Sequence, residues 1–133
     1  MSKAVLLCID DEISGLQIRK MVLESAGYTV LTAEGGKAGL EILKAQPVDL
    51  VILDYAMPEM SGYTVAIEVR RIYPETPILM LSAYFPVPQE VLKVVDTYAT
   101  KGGSPLRLFE MVDALLNESL RYRNKEASRR LLE

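Results

Sequence analysis

Three aspartates, a serine and a lysine stand where the candidate strands of this chain end. Asp10 and Asp11 follow Ala4–Ile9, Asp54 follows Val48–Leu53, Ser82 follows Pro77–Leu81, and Lys101 follows Thr97–Thr100. Carboxylates brought together repel one another and raise each other's pKa. A hard divalent cation relieves that repulsion. An all-oxygen donor set suits Mg²⁺, which keeps several waters and favours one or two carboxylates plus phosphate oxygens. The Lys101 ammonium then offers a compact charge to a second phosphate oxygen, and the Ser82 hydroxyl can donate to a third. Carboxylates also form acyl-phosphates as nucleophiles, a role that falls to Asp54 as the acid nearest the middle of the set.

That chemistry requires elements that carry all five residues to one edge. Apolar runs of strand length alternate with segments of helical period five times along the chain. The expected helices are Ser14–Ala26, closed by Gly27, then Gly36–Ala45 and Ser61–Tyr73, stopped by Pro74. A helix of two turns at best is expected over Gln89–Val95, and a long one opens near Pro105. Tyr28–Ala33 supplies a further strand. Five strand-then-helix units predict an α/β fold, a parallel sheet with helices on both faces. In such sheets ligands bind beyond the carboxyl ends of the strands, which is where these side chains fall.

Composition limits the alternatives. A chain of 133 residues, half apolar and a quarter charged, fits one domain with a real core. The absence of histidine excludes His-based metal sites and His-dependent acid–base catalysis. Cys8 is the only cysteine and sits in an apolar run, so no internal disulfide can form and a buried, inert thiol is expected. The net charge of −3 divides into −5 over residues 1–116 (fifteen acids, ten bases) and +2 over 117–133 (three acids, five bases). That is too little basic charge to indicate direct nucleic-acid binding. No signal peptide or membrane-length apolar stretch is visible, and a cytoplasmic protein is expected.

The ordered set Asp10-Asp11, Leu53-Asp54-Tyr55-Ala56-Met57-Pro58-Glu59-Met60-Ser61-Gly62, Ser82-Ala83 and Lys101 resembles the receiver domains of two-component response regulators, the chemotaxis-regulator type included. The resemblance spans about residues 3–116. It implies a flavodoxin-like, doubly wound five-stranded sheet in the order 2-1-3-4-5, a receiver domain over 1–116, and a helical extension or linker over 117–133. It implies that Asp54 is the phosphoacceptor and that Asp11, Asp54 and the Ala56 backbone carbonyl hold Mg²⁺, with Asp10 acting mostly through water. Ser82 and Lys101 would meet the phosphoryl group. Tyr98, three residues before the lysine, falls at the family's switch aromatic. The implied partners are a sensor histidine kinase or phosphotransfer protein and an output partner. A homodimer through the face of the fourth helix, fifth strand and fifth helix, or through the C-terminal helix, is a further implication.

The chain departs from the family pattern in places. Receivers commonly follow the lysine with proline; here Gly102-Gly103-Ser104 precede Pro105, so a glycine-adapted loop is expected to aim Lys101 less tightly. The stretch between Ser82 and Lys101 is short, which predicts a remodelled signalling surface. Ala56 has no side chain with which to position an attacking water, and Tyr84 is placed to shield the phosphate, so slow autodephosphorylation is expected.

Singly, these residues have ordinary readings: acids before a helix suit its dipole, Ser82 reads as an ordinary strand-end serine, Lys101 as a surface lysine, and Tyr98 as a half-buried core aromatic. Rival functions lack parts. An aspartyl phosphatase of the haloacid-dehalogenase type needs a second acid where Ala56 stands, and a nucleotide- or flavin-binding domain needs glycines where Asp10-Asp11-Glu12 stands. A degenerate receiver that works as an unphosphorylated interaction module is the remaining alternative.

Overall fold

Central strands of a parallel sheet are covered on both faces and so carry near-continuous apolar runs. A computed structural model of the chain describes residues 4–83 and 87–132 and shows five strands, the central ones of this kind. They are β1 (Val5–Ile9), β2 (Thr29–Ala33), β3 (Leu50–Asp54), β4 (Ile78–Ser82) and β5 (Thr97–Thr100). All pair in parallel, in the order β2-β1-β3-β4-β5. The two edge strands read differently from the centre. β2 is exposed at Thr29 and Thr32, and β5 is only half-buried, whereas every residue of β3 and β4 is buried.

The side chains alternate between two cores. Leu7, Ile9, Val51, Leu53 and Met80 face one side, under α2 (Gly36–Ala45), α3 (Gly62–Ile72) and α4 (Gln89–Leu92). Leu6, Cys8, Leu50, Ile52 and Leu79 face the other, under α1 (Ile13–Ser25) and α5 (Pro105–Leu132). Burial pushes the Cys8 thiol up to about 12, so it is the inert core residue its neighbours predicted.

Local chemistry sets the helix ends. Gly27, at φ 95°, takes the left-handed position just past α1. Ser61 caps α3 rather than beginning it, its Oγ accepting from the Thr64 amide at 3.3 Å. α4 is a single turn, within the two turns at most that were expected, and ends at Leu92 rather than Val95. Beyond it the chain tightens into bonds from the Lys93 amide to the Glu90 carbonyl and from the Val94 amide to the Val91 carbonyl. Val91 and Val95 are thereby buried ahead of β5. α5 begins at Pro105 behind Ser104, whose Oγ accepts from the Arg107 amide at 3.2 Å. It runs unbroken to Leu132 although only Met111, Val112 and Leu115 are buried. No helix among the described residues is long and apolar enough to cross a membrane.

At the amino ends of the strands, side chains satisfy backbone groups that the sheet leaves over. Asp49 Oδ2 accepts from the Val5 amide at 2.7 Å, and Asp96 Oδ2 accepts from the Ile78 amide at 2.7 Å. Arg70 of α3 donates to the carbonyls of Val94, Pro74 and Thr76 and to Asp96.

Candidate functional site

The sheet register brings the acids level. Ile9 pairs with Leu53, so Asp10 emerges beside Asp54; Asp54 in turn pairs with Leu81, and Ser82 lies one step further along. Ser82 pairs with Thr100, and the Lys101 amide donates to the Ser82 carbonyl at 3.0 Å. The carboxylate oxygens offered by Asp10, Asp11 and Asp54 all lie within 4.8 Å of one another. Asp10 and Asp54 are buried and Asp11 is exposed, giving the cluster one face open to solvent.

Lys101 Nζ sits among the acids, 3.0 Å from Asp10 Oδ2, 3.3 Å from Asp54 Oδ1 and 3.2 Å from Glu12 Oε1. The bond from the Lys101 amide to Ser82, and another from the Gly103 amide to the Thr100 carbonyl at 3.2 Å, fix the backbone on both sides of the lysine. Burial opposes the ammonium charge, but the hydrogen bonds to Asp10 and Glu12 and the charges of Asp54 and Asp10 outweigh it and hold the Lys101 pKa above its usual value.

The two buried aspartates are pushed apart electrostatically. Burial, and then the charge of Asp10, drive Asp54 up to about 6, with Lys101 offsetting only part of the rise. Burial also acts against the Asp10 carboxylate, yet its pKa is lowered, because the Glu12 amide donates to Oδ1 at 3.0 Å and Lys101 and Arg19 stand against it. The repulsion between the two acids is thus only partly relieved by the protein's own cations. A hard divalent ion on these oxygens would complete the relief, so the donor set fits Mg²⁺.

Gly62 explains how β3 can end so close to α3. A Cβ there would lie 2.2 Å from the Asp54 carbonyl oxygen, and the Gly62 amide donates to the Tyr55 carbonyl at 2.8 Å. Only glycine permits that approach.

The profile of the response regulator receiver domain matches residues 6–113. The chain belongs to that family. It is 35% identical over 119 residues to the transcriptional regulatory protein GlrR of Escherichia coli (strain K12), covering 87% of this chain and 27% of that one. It is 34% identical over 122 residues to the alkaline phosphatase synthesis transcriptional regulatory protein PhoP of Bacillus subtilis (strain 168), covering 90% of this chain and 50% of that one. The chain therefore spans about a quarter to a half of these curated relatives. Among solved structures it superposes on chemotaxis protein CheY4 of Vibrio cholerae with a TM-score of 0.80 at 33% identity, over 84% of this chain and 98% of that one. The response regulator protein TrrA of Thermotoga maritima, in complex with Mg(2+)-BeF, gives 0.81 at 33% identity, over 85% and 99%. Receiver domains of this family are signalling switches of two-component systems, and they bind Mg²⁺ at an acidic pocket.

The structure gathers Asp10, Asp11, Asp54 and Lys101, with Ser82 buried at the end of β4. Ala56 is exposed two residues beyond Asp54. Tyr98 lies half-buried on β5 against the core, opposite Met80. Tyr84 lies outside the described residues. Two contacts were not read from the sequence: Glu12 on Lys101, and Arg19, whose guanidinium donates to Asp10 from α1. The available signal for the second was a glycine at position 15, one helical turn before the arginine.

Proposed function

We propose that Asp54 is the phosphoacceptor of this receiver and that its phosphorylation requires Mg²⁺. The observation that carries the reading is Asp54 itself: a buried carboxylate at the end of β3, crowded by Asp10 and Asp11, with the Lys101 ammonium 3.3 Å away. Asp11, Asp54 and the Ala56 backbone carbonyl would hold the ion, with Asp10 acting through water. When bound it neutralises the carboxylates and the oxygens of the incoming phosphoryl group. An Asp54 oxygen attacks phosphorus, and the bond from phosphorus to the donor, a histidine nitrogen of a sensor kinase or phosphotransfer protein or the acyl oxygen of a small phosphodonor, breaks with its electron pair leaving on the donor. Lys101 meets the charge that develops on the transferred group.

Ser82 then turns toward the phosphate and Tyr98 rotates inward, shifting the population of surfaces around β5 that an output partner or a second copy reads. Residues 117–132, which continue α5 past the packed part of the domain, serve as the extension or linker toward that output. The setting is cytoplasmic. With Ala56 at the mouth of the site, hydrolysis of the acyl-phosphate is slow.

The test is intact-mass measurement after treatment with acetyl phosphate and Mg²⁺. A single phosphoryl adduct is expected on the wild type and none on Asp54→Ala. No adduct on the wild type overturns the reading in favour of an unphosphorylated interaction module, and an adduct that survives the substitution overturns the assignment of Asp54 as phosphoacceptor. The adduct should also outlive that of the double variant Ala56→Asn, Tyr84→Ala; equal lifetimes remove the claim of slow hydrolysis.

A further inference from the structure

Glycine near the start of a helix is unfavourable relative to alanine, because it leaves more backbone freedom to be lost. Gly15, the third residue of α1, carries that penalty for a visible reason. Residues four apart share a helix face, and long side chains lean back toward the helix N-terminus. Arg19 therefore lies over Gly15. A Cβ at position 15 would stand 3.3 Å from both terminal guanidinium nitrogens and 3.6 Å from Cζ. From this seat the guanidinium reaches past the helix end to the Asp10 carboxylate. The Arg19 side chain is 14% exposed and that of Asp10 only 1%, so the pair is nearly withdrawn from solvent.

The consequence concerns charge. Asp10, Asp11, Glu12 and Asp54 carry four negative charges, and Lys101, in contact with three of them, cancels one. Arg19 cancels another, leaving the site at −2 rather than −3 toward an approaching cation. Beside the seat, a cleft of about 250 Å³ lined by Ile18, Leu81, Lys101 and Leu108 gives the guanidinium somewhere to withdraw.

We propose that Arg19, seated over Gly15, is a built-in counter-ion for Asp10 that steadies the metal-free site and weakens its affinity for Mg²⁺. Arg19 is a positioning residue: it acts through Asp10. The inference rests on the metal reading given above.

The test is calorimetric titration of Mg²⁺ into the wild type, Arg19→Leu, Arg19→Lys and Gly15→Leu, with thermal melts of the arginine variants in EDTA. Removing one positive charge at this range should tighten Mg²⁺ binding about tenfold in Arg19→Leu. The same variant should melt lower in EDTA, where Asp10 has lost a partner. Arg19→Lys keeps the charge and should stay near wild type in both. Gly15→Leu keeps the arginine but fills its seat, and should reproduce the tighter binding. Equal Mg²⁺ affinity in the wild type, Arg19→Leu and Gly15→Leu overturns the inference and leaves the metal reading intact. So does tighter binding that Arg19→Lys shares in full. Absence of binding to all four proteins overturns the metal reading, and this inference with it.

Discussion

The two ends of the sheet use the same residue type in opposite ways. At the amino ends, Asp49 and Asp96 each accept from a strand amide at 2.7 Å, and Arg70 fills the carbonyls of Val94, Pro74 and Thr76 while also pairing with Asp96. The polar groups there answer one another. At the carboxyl ends, Asp10, Asp11 and Asp54 face each other within 4.8 Å, and the cations present leave Asp54 pushed up to about 6. The first end closes the structure; the second leaves an electrostatic conflict that a ligand can relieve. Local inconsistency of this kind is what sets a functional edge apart from a structural one.

The strongest way to break that contrast is at the amino end. Arg70→Ala removes donors from three carbonyls and the partner of Asp96 in one step. A loss of about 2–3 kcal/mol in urea unfolding is expected, from several unmade hydrogen bonds rather than from the ion pair alone. Phosphoryl acceptance from acetyl phosphate should persist wherever the variant is folded. Loss of acceptance by a folded variant would mean that the two ends are not separable.

At the carboxyl end the sign reverses. Asp54→Asn removes a buried charge in conflict with Asp10, and in EDTA at neutral pH the variant should be more stable than wild type by about 1–2 kcal/mol after allowing for screening. The pH dependence follows from the direction of the shift. The folded protein holds Asp54 at about 6, above the ordinary carboxyl value of 3.8, so folding favours the protonated acid. The stability that gives wild type is present below about pH 4 and is lost as pH rises through about 6. The gap between Asp54→Asn and wild type should therefore open across that window and shrink when Mg²⁺ is added. Asp10, whose pKa is lowered, works in the opposite sense and at lower pH. A gap that stays constant from pH 4 to pH 7 would show that the acids are not in conflict.

The parts that sequence reasoning reached, and those it missed, divide along physical lines. Strands buried on both faces show as unbroken apolar runs, so β1, β3 and β4 and the residues at their carboxyl ends were legible. The unequal exposure of Asp10 and Asp11 was not legible, because it depends on which of two adjacent carboxylates turns under α1. Nor were the ion-pair partners of Lys101, which stands just past the end of β5 within reach of Asp10, Glu12 and Asp54. A short α4 was expected, of two turns at best; it ends at Leu92 rather than Val95, and a tighter turn beyond it buries Val91 and Val95. The continuation of α5 was left open, there being no buried face to mark it. Nothing in residues 106–132 stops a helix, and the structure runs to Leu132.

The smallest expected effect tests whether a single amino-end aspartate matters by itself. Asp49→Ala leaves the Val5 amide without its acceptor at the start of β1, a part-buried position where water can substitute in part. A loss of about 1 kcal/mol is expected, the usual net worth of one such bond. Because Asp49 has no cation within ion-pairing distance in the structure's described residues, raising the salt concentration should leave the loss unchanged. The same salt series on Asp54→Asn should shrink its gain, since that gain is one of charge. Equal salt dependence at the two positions would erase the distinction between a carboxylate that completes the backbone and one that waits for a ligand.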